Sequence, residues 1–130
     1  RSIESLLTGR ETTIPIYRHS ELRRTAGRAV RSSNLIYEGI HTLYDDELVR
    51  CATLSIFLDA PERVIYQRRR ERDIRDRSID PTRYDVYFRT FVWPGYQKNV
   101  VTIAERADLV LDAVSKPHEL VAAIMRGLRK

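Results

Sequence analysis

The densest charge in the 130-residue sequence runs from Pro61 to Arg77, PERVIYQRRRERDIRDR, with seven arginines against four acids. A guanidinium presents a planar fork of donors that matches phosphate oxygens in pairs. Arg69 and Arg72, three residues apart, fall on one face of a helix. Charge pattern by itself favours a plainer reading, a solvated basic helix laced with Glu71, Asp73 and Asp76. Two acids stand in a different setting. Glu38 closes the apolar run LIYEG, and Asp59 closes TLSIFLDA. An unpaired carboxylate inside a sheet is costly, but at a strand's end it can face water, a metal or a substrate hydroxyl. Tyr17 and His19 in PIYRHS, and His41 after Glu38 and Gly39, suit a hydroxyl-rich ligand. The plain alternatives are loop histidines with no ligand and, for Glu38, an acid that fixes the loop beside Gly39. His118 is read as a histidine without a ligand. No spacing of His, Cys or carboxylates forms a metal site.

Alternating strands and helices must position these groups. RSIESLLTGR reads as an amphipathic helix stopped at Gly9. TTIPIYRHS is extended around Pro15, and AGRAVRSSN is a polar connection. LIYEG, TLSIFLDA and ADLVLDA are continuous apolar strands, and YDDELVR is a short helix with its acids near its start. Pro61 opens a long charged helix. Another helix begins near Pro81 and is interrupted at Trp93-Pro94. Tyr84, Tyr87, Phe88, Phe91 and Trp93 read as packing rather than a stacking platform. PHELVAAIMRGLRK closes the chain as an amphipathic helix. Strands apolar on both faces predict a parallel sheet covered by helices, with ligands beyond the strands' carboxyl ends.

Composition narrows the class. Hydrophobic residues make up 42% and charged residues 32%, which suits a globular chain rather than a disordered one. The net charge of +5 suits a polyanionic partner. No apolar run is long enough to span a bilayer, so no membrane partner is expected. The single cysteine, Cys51, reads as a small buried thiol in a reducing, cytoplasmic setting.

The order IYEGIHTLYDDELVR, SIFLDAPERV, RRERDIRDR, RTFVWPGYQKNV and ERADLVL, with LLTGRETTIPIY before it, resembles the P-loop kinases of the uridine kinase and phosphoribulokinase family. The resemblance covers nearly the whole chain as a single domain, residues 1–130. It implies an α/β P-loop NTPase-like fold, here with three parallel strands and flanking helices. Those kinases begin with a phosphate-cradling G-x-x-x-x-G-K-[ST] loop, and this sequence has none; its five glycines are isolated. The family's catalytic aspartate, upstream of the first helix seen here, is missing as well. The chain thus reads as the acceptor and lid part of a kinase, incomplete on its N-terminal side. It is expected not to turn over alone, because phosphoryl transfer rests on positioning and electrostatics that the loop supplies.

The resemblance also implies roles. Arg69, Arg72, Asp73 and Arg77 map onto a family lid, Arg-x-x-Arg-Asp followed by another arginine, that closes over the transferring phosphates, while Arg68, Arg70 and Arg75 stay with the solvated reading. The family often ends that lid in Arg-Gly-Arg, whereas this chain has Arg77-Ser78-Ile79. Glu38 corresponds to a glutamate near the metal and the acceptor, in an outer-shell role toward magnesium. Tyr17 and His19 fall where uridine kinases hold the nucleoside with a longer Tyr-Asp-Phe…His-Ser-Arg segment. Here that segment is shortened, and Tyr-x-His with Glu-Gly-x-His is closer to phosphoribulokinases. The implied activity is ATP- and Mg2+-dependent phosphorylation of a small hydroxylated metabolite, with a pyrimidine nucleoside leading and a sugar phosphate second. A non-catalytic binding module is the alternative, and nucleic-acid binding ranks last. A homo-oligomer or a missing N-terminal segment is the expected partner.

Overall fold

The computed structural model describes the chain except for Arg1, His19, Ser20, Leu22, Ser33, Lys130 and the side chain of Ser2. It divides into two compact units, Arg1–Glu38 and Gly39–Lys130.

In the first unit, helix α1 (Ser2–Leu7) buries Leu6 and stops at Gly9, whose φ is +70°. The chain then forms a hairpin of β1 (Thr12–Arg18) and β2 (Arg23–Val30). The register slips between Ile14, opposite Arg28, and Ile16, opposite Thr25. The slip falls on Pro15, which has no N–H to give the ladder. Ala26 and Gly27 bulge opposite it. A Cβ on Gly27 would lie 2.3 Å from Thr13 Cγ2 and 3.0 Å from the Ile14 carbonyl oxygen, so this strand position requires glycine. Strand β2 corrects the reading of AGRAVRSSN as a connection. Its residues are mostly exposed, so cross-strand pairing rather than apolar alternation makes it a strand.

Leu35–Gly39 is a second correction. The strand expected there does not form; the segment is irregular, and Ile36 is 94% exposed. A strand needs a neighbour for its N–H and C=O groups, and none pairs with this run among the described residues.

The second unit opens with a 3-10 turn (Thr42–Tyr44) and helix α2 (Asp46–Cys51). Asp45 caps α2, its carboxylate accepting from the N–H groups of Glu47 and Leu48. Cys51, at the end of α2, is exposed, not buried as its type suggested. Strand β3 (Ile56–Asp59) pairs in parallel with β4 (Leu109–Asp112), Ile56 opposite Leu109 and Asp59 opposite Asp112. The described parallel sheet therefore has two strands rather than three. Between them lie α3 (Glu62–Arg77), α4 (Tyr84–Tyr87), a π-helical turn (Phe88–Val92), α5 (Trp93–Asn99) and a 3-10 turn (Val101–Arg106). Helix α6 (Pro117–Gly127) follows β4.

The break expected at Trp93-Pro94 is absent. Pro94 lacks an N–H, and its ring would clash with the carbonyl four residues back. The chain widens into the π turn just before it, and Trp93 N–H reaches back to the Phe88 carbonyl. The helical path continues.

Two apolar clusters hold this unit. Leu43, Phe57 and Ile103 pack with Val49, Val100, Ala104 and Ala107. Tyr84, Phe88 and Val92 pack against Ile65 and Tyr66 of α3, with Ile79, Tyr87 and Trp93. The second cluster fixes the long charged helix against the segment that follows it.

Candidate functional site

Helix α3 carries Arg69, Arg72 and Arg77, and the acid between the last two, Asp73, holds both of them. Asp73 is fully buried. Its Oδ1 accepts from Arg72 Nε at 3.0 Å and Nη2 at 2.9 Å, and Arg77 Nη1 lies 3.4 Å away. Burying this carboxylate requires such partners. The two arginine side chains are 43% and 48% exposed. Asp73 thus anchors both guanidinium groups from the protein side, while each keeps further N–H donors. Two half-exposed forks on one buried acid form a site suited to a multiply charged anion.

The end of α3 is built on the same residue. Ser78 adopts the left-handed conformation, φ 55° and ψ 32°. The N–H groups of Ser78 and Ile79 return to the Asp73 carbonyl, at 3.2 Å for Ile79. Ser78 is the position where the family pattern carries glycine, and its backbone takes the conformation that glycine adopts without steric cost.

Two of the other arginines of α3 are tied locally. Arg75 forms a two-point pair with Asp76, at 2.7 and 3.1 Å, which holds the Asp76 carboxyl below its ordinary range. Arg68 donates to the Ala113 carbonyl at 3.4 Å. Arg70 lines an open groove of about 500 Å³ with Tyr66, Gln67, Glu71, Thr82 and Asp85.

The other described residues singled out from the sequence fall in both units. Tyr17 lies on β1 opposite Arg24, in the first unit. Glu38 is exposed at the end of that unit. His19 lies outside the described residues. His41 belongs to the second unit, where its ring sits 5.9 Å from that of Tyr44. Asp59 and Asp112 do stand together at the carboxyl ends of the two parallel strands. No group of three or more His, Cys, Asp or Glu side chains converges as a metal site among the described residues.

Three contributors lie outside the candidate site residues named from the sequence. Asp73 belongs to the lid pattern that the resemblance implies, yet by charge alone it reads as one more acid in a solvated helix; its spacing of one and four residues from Arg72 and Arg77 was the available signal. Asp108 closes the start of the sheet, its Oδ2 accepting from the N–H and hydroxyl of Ser55 at 2.8 and 2.7 Å. Those bonds hold the Asp108 carboxyl below the usual carboxylate range. Tyr84 is fully buried beside α3, and burial, then the charge of Asp73, hold its phenol above the ordinary value.

A family model described as "Phosphoribulokinase / Uridine kinase family" matches residues 1–119. A uridine kinase of Schizosaccharomyces pombe is 33% identical over 108 residues, covering 82% of this chain and 24% of that protein. A uridine kinase of Saccharomyces cerevisiae is 29% identical over 132 residues, 99% of this chain and 26% of that protein. One from Pasteurella multocida is 27% identical over 130 residues, 98% of this chain and 60% of that protein. The chain thus spans a quarter to three fifths of the length of these relatives.

Proposed function

This chain belongs to the phosphoribulokinase / uridine kinase family, and we propose that it supplies the acceptor side and the arginine lid of an ATP-dependent kinase. The observation that carries this is the pair of half-exposed guanidinium groups, Arg72 and Arg77, held on one buried carboxylate. Such a pair meets negative charge on the transferring phosphoryl group without having to reorganise. Arg69, one turn before Asp73 on α3, adds a third positive charge.

The acceptor we propose is a pyrimidine nucleoside, after the uridine kinases the chain is similar to, with a sugar phosphate as the competing acceptor. Tyr17, His19, Glu38 and His41 would hold its hydroxyls. Magnesium would enter with ATP and supply positive charge toward its phosphates. The described residues offer no carboxylate cluster of their own for it, so Glu38 would act through bound water.

The phosphate-cradling loop and the catalytic base would come from residues outside these 130, because the sequence holds no G-x-x-x-x-G-K-[ST] run. The same missing part would provide a strand beside Leu35–Gly39, whose apolar side chains are otherwise open to solvent.

The test is ATP-dependent phosphorylation of uridine, cytidine and ribulose 5-phosphate by the full gene product. One acceptor should be phosphorylated, and Arg72→Ala and Arg77→Ala should each lower kcat by about 10²- to 10³-fold, the range for losing one preorganised donor. Phosphorylation that survives both substitutions would remove the arginines from the reaction. The absence of transfer to all three acceptors would overturn the reading.

A further inference from the structure

Among the described residues, three buried side-chain polar atoms have no hydrogen-bond partner: Arg69 Nε, Asp73 Oδ2 and Tyr84 Oη. They do not lie at random. Ile65, Arg69 and Asp73 follow one another at four-residue spacing on α3, so they form one stripe. Tyr84 belongs to the buried cluster with Phe88 and Val92 against which Ile65, Tyr66 and Ile79 pack, and its ring lies 5.7 Å from that of Tyr66, the residue after Ile65 on α3. Two of the atoms are donors, an N–H and a phenol O–H, and the third is the second oxygen of the carboxylate that carries Arg72 and Arg77. Buried donors and acceptors are almost always paired, directly or through an ordered water. The chemistry of this trio balances, two donors facing one acceptor.

We propose that Tyr84 is a positioning residue for the arginine pair: its hydroxyl and Arg69 Nε–H reach Asp73 Oδ2 through one buried water, and so fix the carboxylate on which Arg72 and Arg77 are mounted. A carboxylate held at one oxygen can rotate about its bond to the chain. Held at both, it cannot, and the two forks keep their aim. The phenol stays protonated as a donor, since burial and the charge of Asp73 both hold its proton on. The role of the arginines toward phosphate rests on the kinase reading; the junction itself does not.

Tyr84→Phe separates these statements, because it removes only the hydroxyl and keeps the packed ring. If the hydroxyl is unpaired in the folded chain, deleting it relieves an unsatisfied group and the melting temperature holds or rises. If it is bonded to the junction, the melting temperature falls by about 4 °C or more. The positioning role has its own readout, hydrogen exchange at the Arg72 and Arg77 side-chain N–H groups, followed by NMR in this chain. Exchange at Arg72 Nε–H should be several-fold faster in Tyr84→Phe than in the parent, while an amide in α6 is unchanged. A melting temperature that holds or rises overturns the junction. A melting temperature that falls with Arg72 exchange unchanged overturns the positioning role. Neither result depends on activity. In the full gene product the same substitution should raise KM for ATP several-fold with little change in KM for the acceptor. A gene product that never phosphorylates would sink the kinase reading and leave the exchange result standing.

Discussion

At the scale of single residues, the charged helix is organised by its least exposed acid. Seven arginines in one stretch look like surface charge, and five of them lie outside the anchor. What distinguishes Arg72 and Arg77 is their distance along the helix from Asp73, one residue and one turn. Asp73 also receives the end of the helix at its carbonyl, through Ser78 in the left-handed region. A left-handed non-glycine residue costs about 1–2 kcal/mol, and glycine returns about 0.5–1 kcal/mol of that through its freer unfolded chain. Ser78→Gly should therefore stabilise the protein by about 0.5–1 kcal/mol, read as a higher urea midpoint at unchanged slope. An unchanged or lower midpoint would mean that the serine relieves the strain in some other way. Where the family pattern often carries Arg-Gly-Arg this chain has Arg77-Ser78-Ile79, and the backbone at Ser78 is a helix stop that keeps the glycine-like shape.

At the scale of elements, legibility followed the strength of each local signal. The caps were plain: Gly9, Asp45 and Pro61 end or begin helices where their chemistry requires. Strands β3 and β4 were plain as apolar runs. Strand β2 was not, because RRTAGRAV has no apolar alternation and owes its strand to pairing across a bulge that Pro15 imposes. The π turn was hidden for a related reason. Proline announces a break, but whether the chain breaks or widens depends on the packing of Phe88 and Val92 against their neighbours. The start of the parallel sheet was half legible. The Ala-Asp before β4 belongs to the family pattern, and the structure supplies its reason in the clamp of Asp108 on Ser55. Because those hydrogen bonds lower the Asp108 pKa, their contribution is present above the ordinary carboxylate value near pH 4. It is lost as pH falls through the lowered folded value. Asp76 and Asp80, also held below the ordinary range by Arg75 and Thr82 respectively, act in the same direction. Urea midpoints measured between pH 6 and pH 3 should fall in the parent and fall less steeply in Asp108→Asn. Parallel curves would remove Asp108 from the acid sensitivity.

At the scale of the whole molecule, the candidate site was legible by type and not by place. Helix α3 carries Arg69, Arg72 and Arg77, and the last two share Asp73 as an anchor. Tyr17 and Glu38 lie in one compact unit and the arginines in the other, so sequence order alone does not assemble an acceptor pocket from them. The strand reading of Leu35–Gly39 makes the point in physical terms. The pattern is that of a fully buried strand, yet Ile36 is 94% exposed and Tyr37 and Ile40 are more than half exposed. A pattern records the environment for which residues are suited, and here that environment is not provided by the described residues. The disagreement has a direct test in one substitution made in two contexts. In this chain Ile36→Asp alters an exposed side chain and should change stability by no more than about 0.5 kcal/mol. In the full gene product, if a neighbouring strand covers Ile36, the same change buries an unpaired charge and should cost several kcal/mol or abolish folding. Equally small effects in both would mean that nothing covers this run, and the kinase reading would lose the strand that joins its two halves. A large effect only in the longer protein would show that residues Leu35 to Gly39 are an edge built for a partner strand, and would place Glu38 at that strand's end.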